Sequence, residues 1–218
     1  MTTEKMNVHR ALAELKTIDA RISKALRDSG PYVLANKHSN DKILGEPIAK
    51  YADKVKDGFK QVSDLYARRV ALKCAVVQSN AVTKVTIGGV EYTVAEAIEM
   101  KNHGIPLRRS ILSTLVRDLT GAQVECQRQN GEALERRAVE HVKNMFGQSD
   151  MKNATDEAKK VYDEFIAQQT FELVDPLGID KVIKAMEKEI NDFEVEVDAA
   201  LSVSNATTEI EFSYGNDN

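Results

Sequence analysis

The chain has 218 residues and a mass of 24.2 kDa, room for one ordinary domain or two small ones with a real core. It is 42% hydrophobic and 29% charged, with 4 prolines, 11 glycines and no tryptophan, which excludes collagen-like, mucin-like and linker proteins and suits a helix-rich fold. With 30 Lys and Arg against 34 Asp and Glu the net charge is -4, which argues against a coat for DNA or RNA polymers, since phosphate neutralisation calls for a basic excess; a small anion needs only a few local cations.

In chain order, Met1 to Lys24 reads as polar and helical, without the apolar core of a signal peptide, and no apolar run has membrane-spanning length. The expectation is a soluble, cytoplasmic protein with no membrane partner. Val8, Leu12, Leu15, Ile18, Ile22 and Leu26 form one stripe of an amphipathic helix that ends at Ser29, Gly30 and Pro31. Tyr32 to Ala35 reads as a short strand and Asn36 to Pro47 as a polar loop. A second long helix is marked by Val55, Phe59, Val62, Tyr66, Val70 and Cys74, lasting to about Gln78.

The period then changes to that of a strand. Val82 to Ile87 and Val90 to Val94 flank Gly88-Gly89, a hairpin signal, because a two-residue primed turn needs positive φ. The register puts Ile87 opposite Val90, Val85 opposite Tyr92 and Thr83 opposite Val94 on an apolar face, leaving Lys84, Thr86, Glu91 and Thr93 on the wet one. Ala95 to His103 reads as a short helix closed by Gly104 and Pro106. From there to about Phe146 the spacing suggests a helix of roughly 40 residues and 60 Å, too long for a compact globule and so expected to project or to pack on another copy, unless Gly121 or Gly131 breaks it. Helices over Asp156 to Gln169 and from Ile179 to about Ser202 flank a turn at Val174 to Gly178, and Thr207 to Tyr214 alternates as a closing strand.

Ser79-Asn-Ala-Val-Thr-Lys-Val-Thr-Ile87 is echoed by Ser204-Asn-Ala-Thr-Thr-Glu-Ile-Glu-Phe212, each a passage from a long helix into a strand. The fold expected is mainly α: one helical domain over 1–218, bundle-like or coiled-coil-like, with this helix-to-strand echo at about 52–94 and 179–214. The two strand elements are expected to join in one small sheet.

No phosphate loop, dinucleotide fingerprint, zinc-protease helix, nucleophile elbow or paired-cysteine motif is present, and no cofactor or metal is expected. His9, His38, His103 and His141 are scattered, the acidic run from Glu187 to Asp198 reads as a solvated face, and Cys74 and Cys126 read as ordinary thiols. The best anion-binding candidate is Gly104-Ile-Pro-Leu-Arg-Arg109. There a helix start would offer free N–H groups beside Arg108 and Arg109, joined by Lys101 and Lys84. The plain alternative is a helix start with two solvated arginines. Tyr92 is suited either to stacking on a base or to core packing, the register favouring the core.

The stretch Ser79 to Lys101, with Val8 to Lys16, Val174-Asp-Pro-Leu177 and Ser204 to Phe212, resembles a widespread family of phage proteins, the fourth named of the anti-CBASS sponges. The likeness covers nearly the whole chain through structural motifs. It implies a non-enzymatic homotetramer, in the cytoplasm of an infected host cell, that binds cyclic dinucleotide signals of the cyclic GMP-AMP type and withholds them from effectors. By our reading of the residues, Lys84, Lys101, Arg108 and Arg109 would meet phosphate, and Thr86, Tyr92 and Thr93 hydroxyls or bases. The alternative is a virion structural or assembly protein built on coiled-coil helices.

Overall fold

In the computed structural model residues 1–215 are described, and the fold is mainly α with short antiparallel strand pairs. The chain forms two compact units, Met1–His103 together with residues 192–215, and Gly104–Asn191.

The first unit opens on a strand, β1 (Thr2–Asn7), in a stretch read from sequence as helical. It pairs antiparallel with the closing strand β6 (Glu209–Tyr214), Thr2 opposite Tyr214 and Asn7 opposite Glu209. β1 was illegible because it is mostly polar and its one ladder partner, β6, lies at the far end of the chain. Helix α1 (Val8–Asp28) follows, its first turn capped by the Asn7 side chain accepting from the Arg10 amide. Tyr32 to Ala35 forms no strand; the Tyr32 ring sits edge-on to Phe59 instead. Within the polar loop, β2 (Lys42–Ile43) and β3 (Glu46–Pro47) make a minimal ladder before α2 (Ile48–Val82).

The hairpin β4 (Lys84–Ile87) and β5 (Val90–Thr93) has the register anticipated, Ile87 opposite Val90 and Val85 opposite Tyr92, with positive φ at Gly88 and Gly89. It does not join β1 and β6: the pairs are separate two-stranded sheets. Each sheet buries one apolar face. Met6, Val8, Ile210 and Phe212 close on Leu72, Ala75 and Val76 of α2, while Val85 and Ile87 are buried in the hairpin.

The echoed segments are structurally equivalent junctions. In each, Ser-Asn-Ala lies in the last helical turn and the Thr four residues after the Ser leaves it: the Thr83 amide donates to the Ser79 carbonyl at 2.8 Å and the Thr208 amide to the Ser204 carbonyl at 2.9 Å. The same Thr carbonyls then accept from the first residue of the next helix, Val94 at 2.8 Å and Val8 at 2.9 Å. The last helix, α7 (Ile179–Thr207), therefore runs several residues past Ser202, the end its apolar periodicity suggested.

In the second unit the anticipated helix of roughly 40 residues is two helices, α4 (Ile105–Gln129) and α5 (Glu132–Phe146). The break is at Gly131, φ 59° and ψ -139°, a conformation open to glycine alone, whereas Gly121 stays helical. Asn130 fixes it: its carboxamide nitrogen donates to the Phe171 carbonyl and its oxygen accepts from the Phe171 amide, both at 2.9 Å. α5 packs on α6 (Asp156–Gln169) through Val142, Ala154 and Ala158, with His141 stacked on Phe165.

Where α2 passes the end of α1, Gly58 lies against Ser29; a Cβ on Gly58 would sit 2.3 Å from Ser29 Oγ and 2.6 Å from its Cβ. Alanine normally favours a helix by about 1 kcal/mol over glycine. Here the contact reverses the sign, and Gly58→Ala is expected to lower unfolding free energy by about 1–3 kcal/mol in urea titration. Adding Ser29→Gly, which removes the two nearest atoms, should recover much of the loss.

Candidate functional site

The cations chosen from sequence are largely neutralised within the fold. Lys84 Nζ donates to Glu91 at 2.6 Å, which raises its pKa, and Thr86 stands exposed on the same wet face. Lys101 is paired with Asp198, and Arg108 with Glu189. Thr93 is the N-cap of α3 (Val94–Glu99): its hydroxyl accepts from the Glu96 amide at 3.1 Å, and the Glu96 carboxylate accepts from the Thr93 amide at 2.7 Å. Tyr92 is half-buried and edge-on to Phe193 at 5.8 Å, the core role that the register favoured. Lys84, Thr86, Tyr92, Thr93 and Lys101 belong to the first unit, whereas Arg108 and the exposed Arg109 belong to the second.

The helix start that gave these residues their rationale is absent. Helical backbone runs from α3 through a π turn, Met100–Gly104, directly into α4, and Gly104 itself is helical at φ -62° and ψ -51°. Pro106 has no N–H to donate and its ring crowds the carbonyl four residues back. The widened turn makes that room without ending the helix, so no set of free N–H groups faces an anion there.

A different set of cations converges along the α1–α2 seam. A groove of about 740 Å³ is lined by the half-buried Leu12 and Leu15 as its apolar floor and by His9, Ala13, Lys16, Thr17, Arg69, Lys73 and Asn205 around them. Its lining contains no acidic residue. Arg69 holds Asp19 at 2.5 Å and keeps that carboxyl below its ordinary range, leaving Lys16 and Lys73 as the cationic groups directed to solvent, with the exposed His9 beside them. One sequence signal marks the set: Arg69 and Lys73 stand at i,i+4 on α2 with no acid three or four residues away, a like-charge pair that costs a few tenths of a kcal/mol in a helix.

A second groove of about 920 Å³, on another face of the same two helices, is charge-balanced, its lining including Glu4, Glu14, Asp57 and Asp64 as well as Arg10, Arg21, Lys60 and Arg68. Arg68 is already engaged. It bonds Glu4 and Glu14, donates to the Tyr214 hydroxyl at 2.6 Å, and lies over the Phe212 and Tyr214 rings at 5.5 and 4.9 Å. This network holds both edge strands onto α2 and is structural. Among the described residues no cluster of His, Cys, Asp and Glu is placed to hold a metal ion, and no helix is long and apolar enough to cross a membrane. Compared with known proteins, the chain matches no family model, no curated protein and no solved structure.

The Arg68 guanidinium and the Tyr214 hydroxyl lower the Glu4 carboxyl from 4.5 to about 2. A depressed carboxylate stabilises the fold fully above its unfolded pKa and loses that contribution as pH falls through the folded one. Acid titration followed by circular dichroism should therefore show stability declining between pH 4.5 and about 2, and a shallower decline in Glu4→Gln, which is less stable at neutral pH.

Proposed function

We propose that the chain binds a cyclic dinucleotide of the cyclic GMP-AMP type along the α1–α2 groove and withholds it from host effectors in the cytoplasm of a phage-infected cell, without cleaving it. The observation that carries this reading is a groove lined by cations and no acid in a chain whose net charge is -4. Two phosphodiesters need two negative charges neutralised, and Lys16 and Lys73 supply two ammonium groups for them. The apolar floor of Leu12 and Leu15 offers contact to base faces, while Asn205 and Thr17 offer hydrogen bonds. A cavity of about 740 Å³ lies in the usual range for small-ligand sites. The resemblance of the Ser79–Lys101 stretch and its companions to phage sponges supports the same reading. Assembly into a homotetramer, which that resemblance implies, is part of the proposal.

A virion assembly role is the alternative, and α4 favours it: this helix has Ile105 as its single buried residue and exposes Leu107, Ile111 and Val124. Calorimetry with a panel of cyclic dinucleotides separates the two. The sponge reading expects micromolar or tighter binding of at least one member, weakening with added salt, and intact ligand released on heating. Lys73→Glu should weaken that binding by about tenfold or more, the cost of one charge-assisted contact. Failure of every member to bind folded protein would return the chain to an assembly role.

A further inference from the structure

The two equivalent junctions extend to a repeat that spans the first unit. One copy is α2, β4, β5 and α3; the other is α7, β6, β1 and α1, with β1 and α1 drawn from the opposite end of the chain. The correspondence holds at several levels. Asn7 and Thr93 both cap the helix that follows by accepting from the amide three residues on. Val8 and Ala11 on α1 are buried as Val94 and Ala97 are on α3, Leu72 on α2 as Val197 is on α7, and Ile210 and Phe212 as Val85 and Ile87 are. Even the packing between copies matches: Leu15 and Lys73 line one groove together, and their counterparts Lys101 and Asp198 form an ion pair.

On this shared scaffold the groove positions differ in concert. His9 corresponds to Ala95, Lys16 to Asn102, Arg69 to Glu194 and Lys73 to Asp198. The buried positions stay apolar in both copies, while Lys16, Arg69 and Lys73 are replaced by neutral or acidic residues and Leu15 of the groove by Lys101. The buried positions that the copies share do not call for either set, since Lys16, Lys73 and Asp198 are all exposed.

We infer that the two copies have divided labour: the α1–α2 groove is a dedicated site for a small polyphosphate or phosphodiester ligand, its lysines are dispensable to the fold, and the counterpart on α3 and α7, where Lys101 is spent on Asp198, carries no such cation set, giving one site per chain. The inference rests on the phosphate-ligand reading of that groove and specifies which side chains serve it. It also supplies unusually conservative variants, since Lys16→Asn and Lys73→Asp install residues that the counterpart scaffold already carries.

The test is calorimetry of the full chain with two probes, cyclic GMP-AMP and inorganic tripolyphosphate, alongside thermal unfolding. Wild type should bind tripolyphosphate at one equivalent per chain. The Lys16→Asn/Lys73→Asp double variant should melt within about 2 °C of wild type, as exposed substitutions do, and bind it at least about tenfold more weakly. Wild-type binding of two equivalents, undiminished binding by the double variant, or its unfolding would overturn the division of labour. If tripolyphosphate behaves as expected and cyclic GMP-AMP does not bind, the inference stands and the proposed signal loses its support. If cyclic GMP-AMP binds equally to wild type and double variant, the inference falls and the sponge reading stands at another site.

Discussion

The ladder between β1 and β6 is the constraint on which the first unit depends. It brings residues 2–7 against 209–214 and puts Met6, Ile210 and Phe212 together over Leu72, Ala75 and Val76. Its last link, the Val8 amide to the Thr208 carbonyl, fixes where α1 begins and hence which of its faces meets α2. Both grooves along the α1–α2 seam follow from that phase: one face of α1 presents His9 and Lys16, another presents Arg10, Glu14 and Arg21. Arg68 reinforces the ladder from below by engaging Glu4 on β1, Tyr214 on β6 and Glu14 on α1 at once, a connection that a surface ion pair between two long side chains would not make.

Much of the fold was legible in periodicity. The stripe from Val8 to Leu26, the hairpin register around Gly88-Gly89 and the helix over Asp156 to Gln169 follow from local pattern, because each buries one face at its own period. What was illegible depends on partners remote in sequence. β1 carries one buried side chain, Met6, and is a strand because β6 pairs with it. Gly121 and Gly131 present the same local signal, and the choice between them is made by Asn130 reaching Phe171. The echoed Ser-Asn-Ala segments were recognised as junctions. That they belong to separate sheets followed only from the pairing of the first strand with the last.

The candidate site shows the same division. Gly, Pro and two arginines at 104–109 make a persuasive helix start in one dimension, but the π turn carries the helix through them. Arg108, Lys101 and Lys84 then find acids on α7 or on the neighbouring strand, so the positive charge read along the chain is cancelled across it. His9, Lys16, Arg69 and Lys73 lie on two helices in separate parts of the sequence. Their convergence required knowing how α1 sits on α2, which the β1–β6 ladder determines.

That ladder also sets an order of events during synthesis. The residues that complete the sheet beside β1 emerge only after about 200 further residues have been made, some 10–40 s later at ordinary translation rates. Until then Met6, Val8 and Ala11 have neither Ile210 nor Phe212 to cover them, whereas the hairpin half of the repeat can close from contiguous chain. The nascent polypeptide must therefore wait with its first helix only partly sheltered, and a chaperone that recognises short apolar segments would find its natural substrate there.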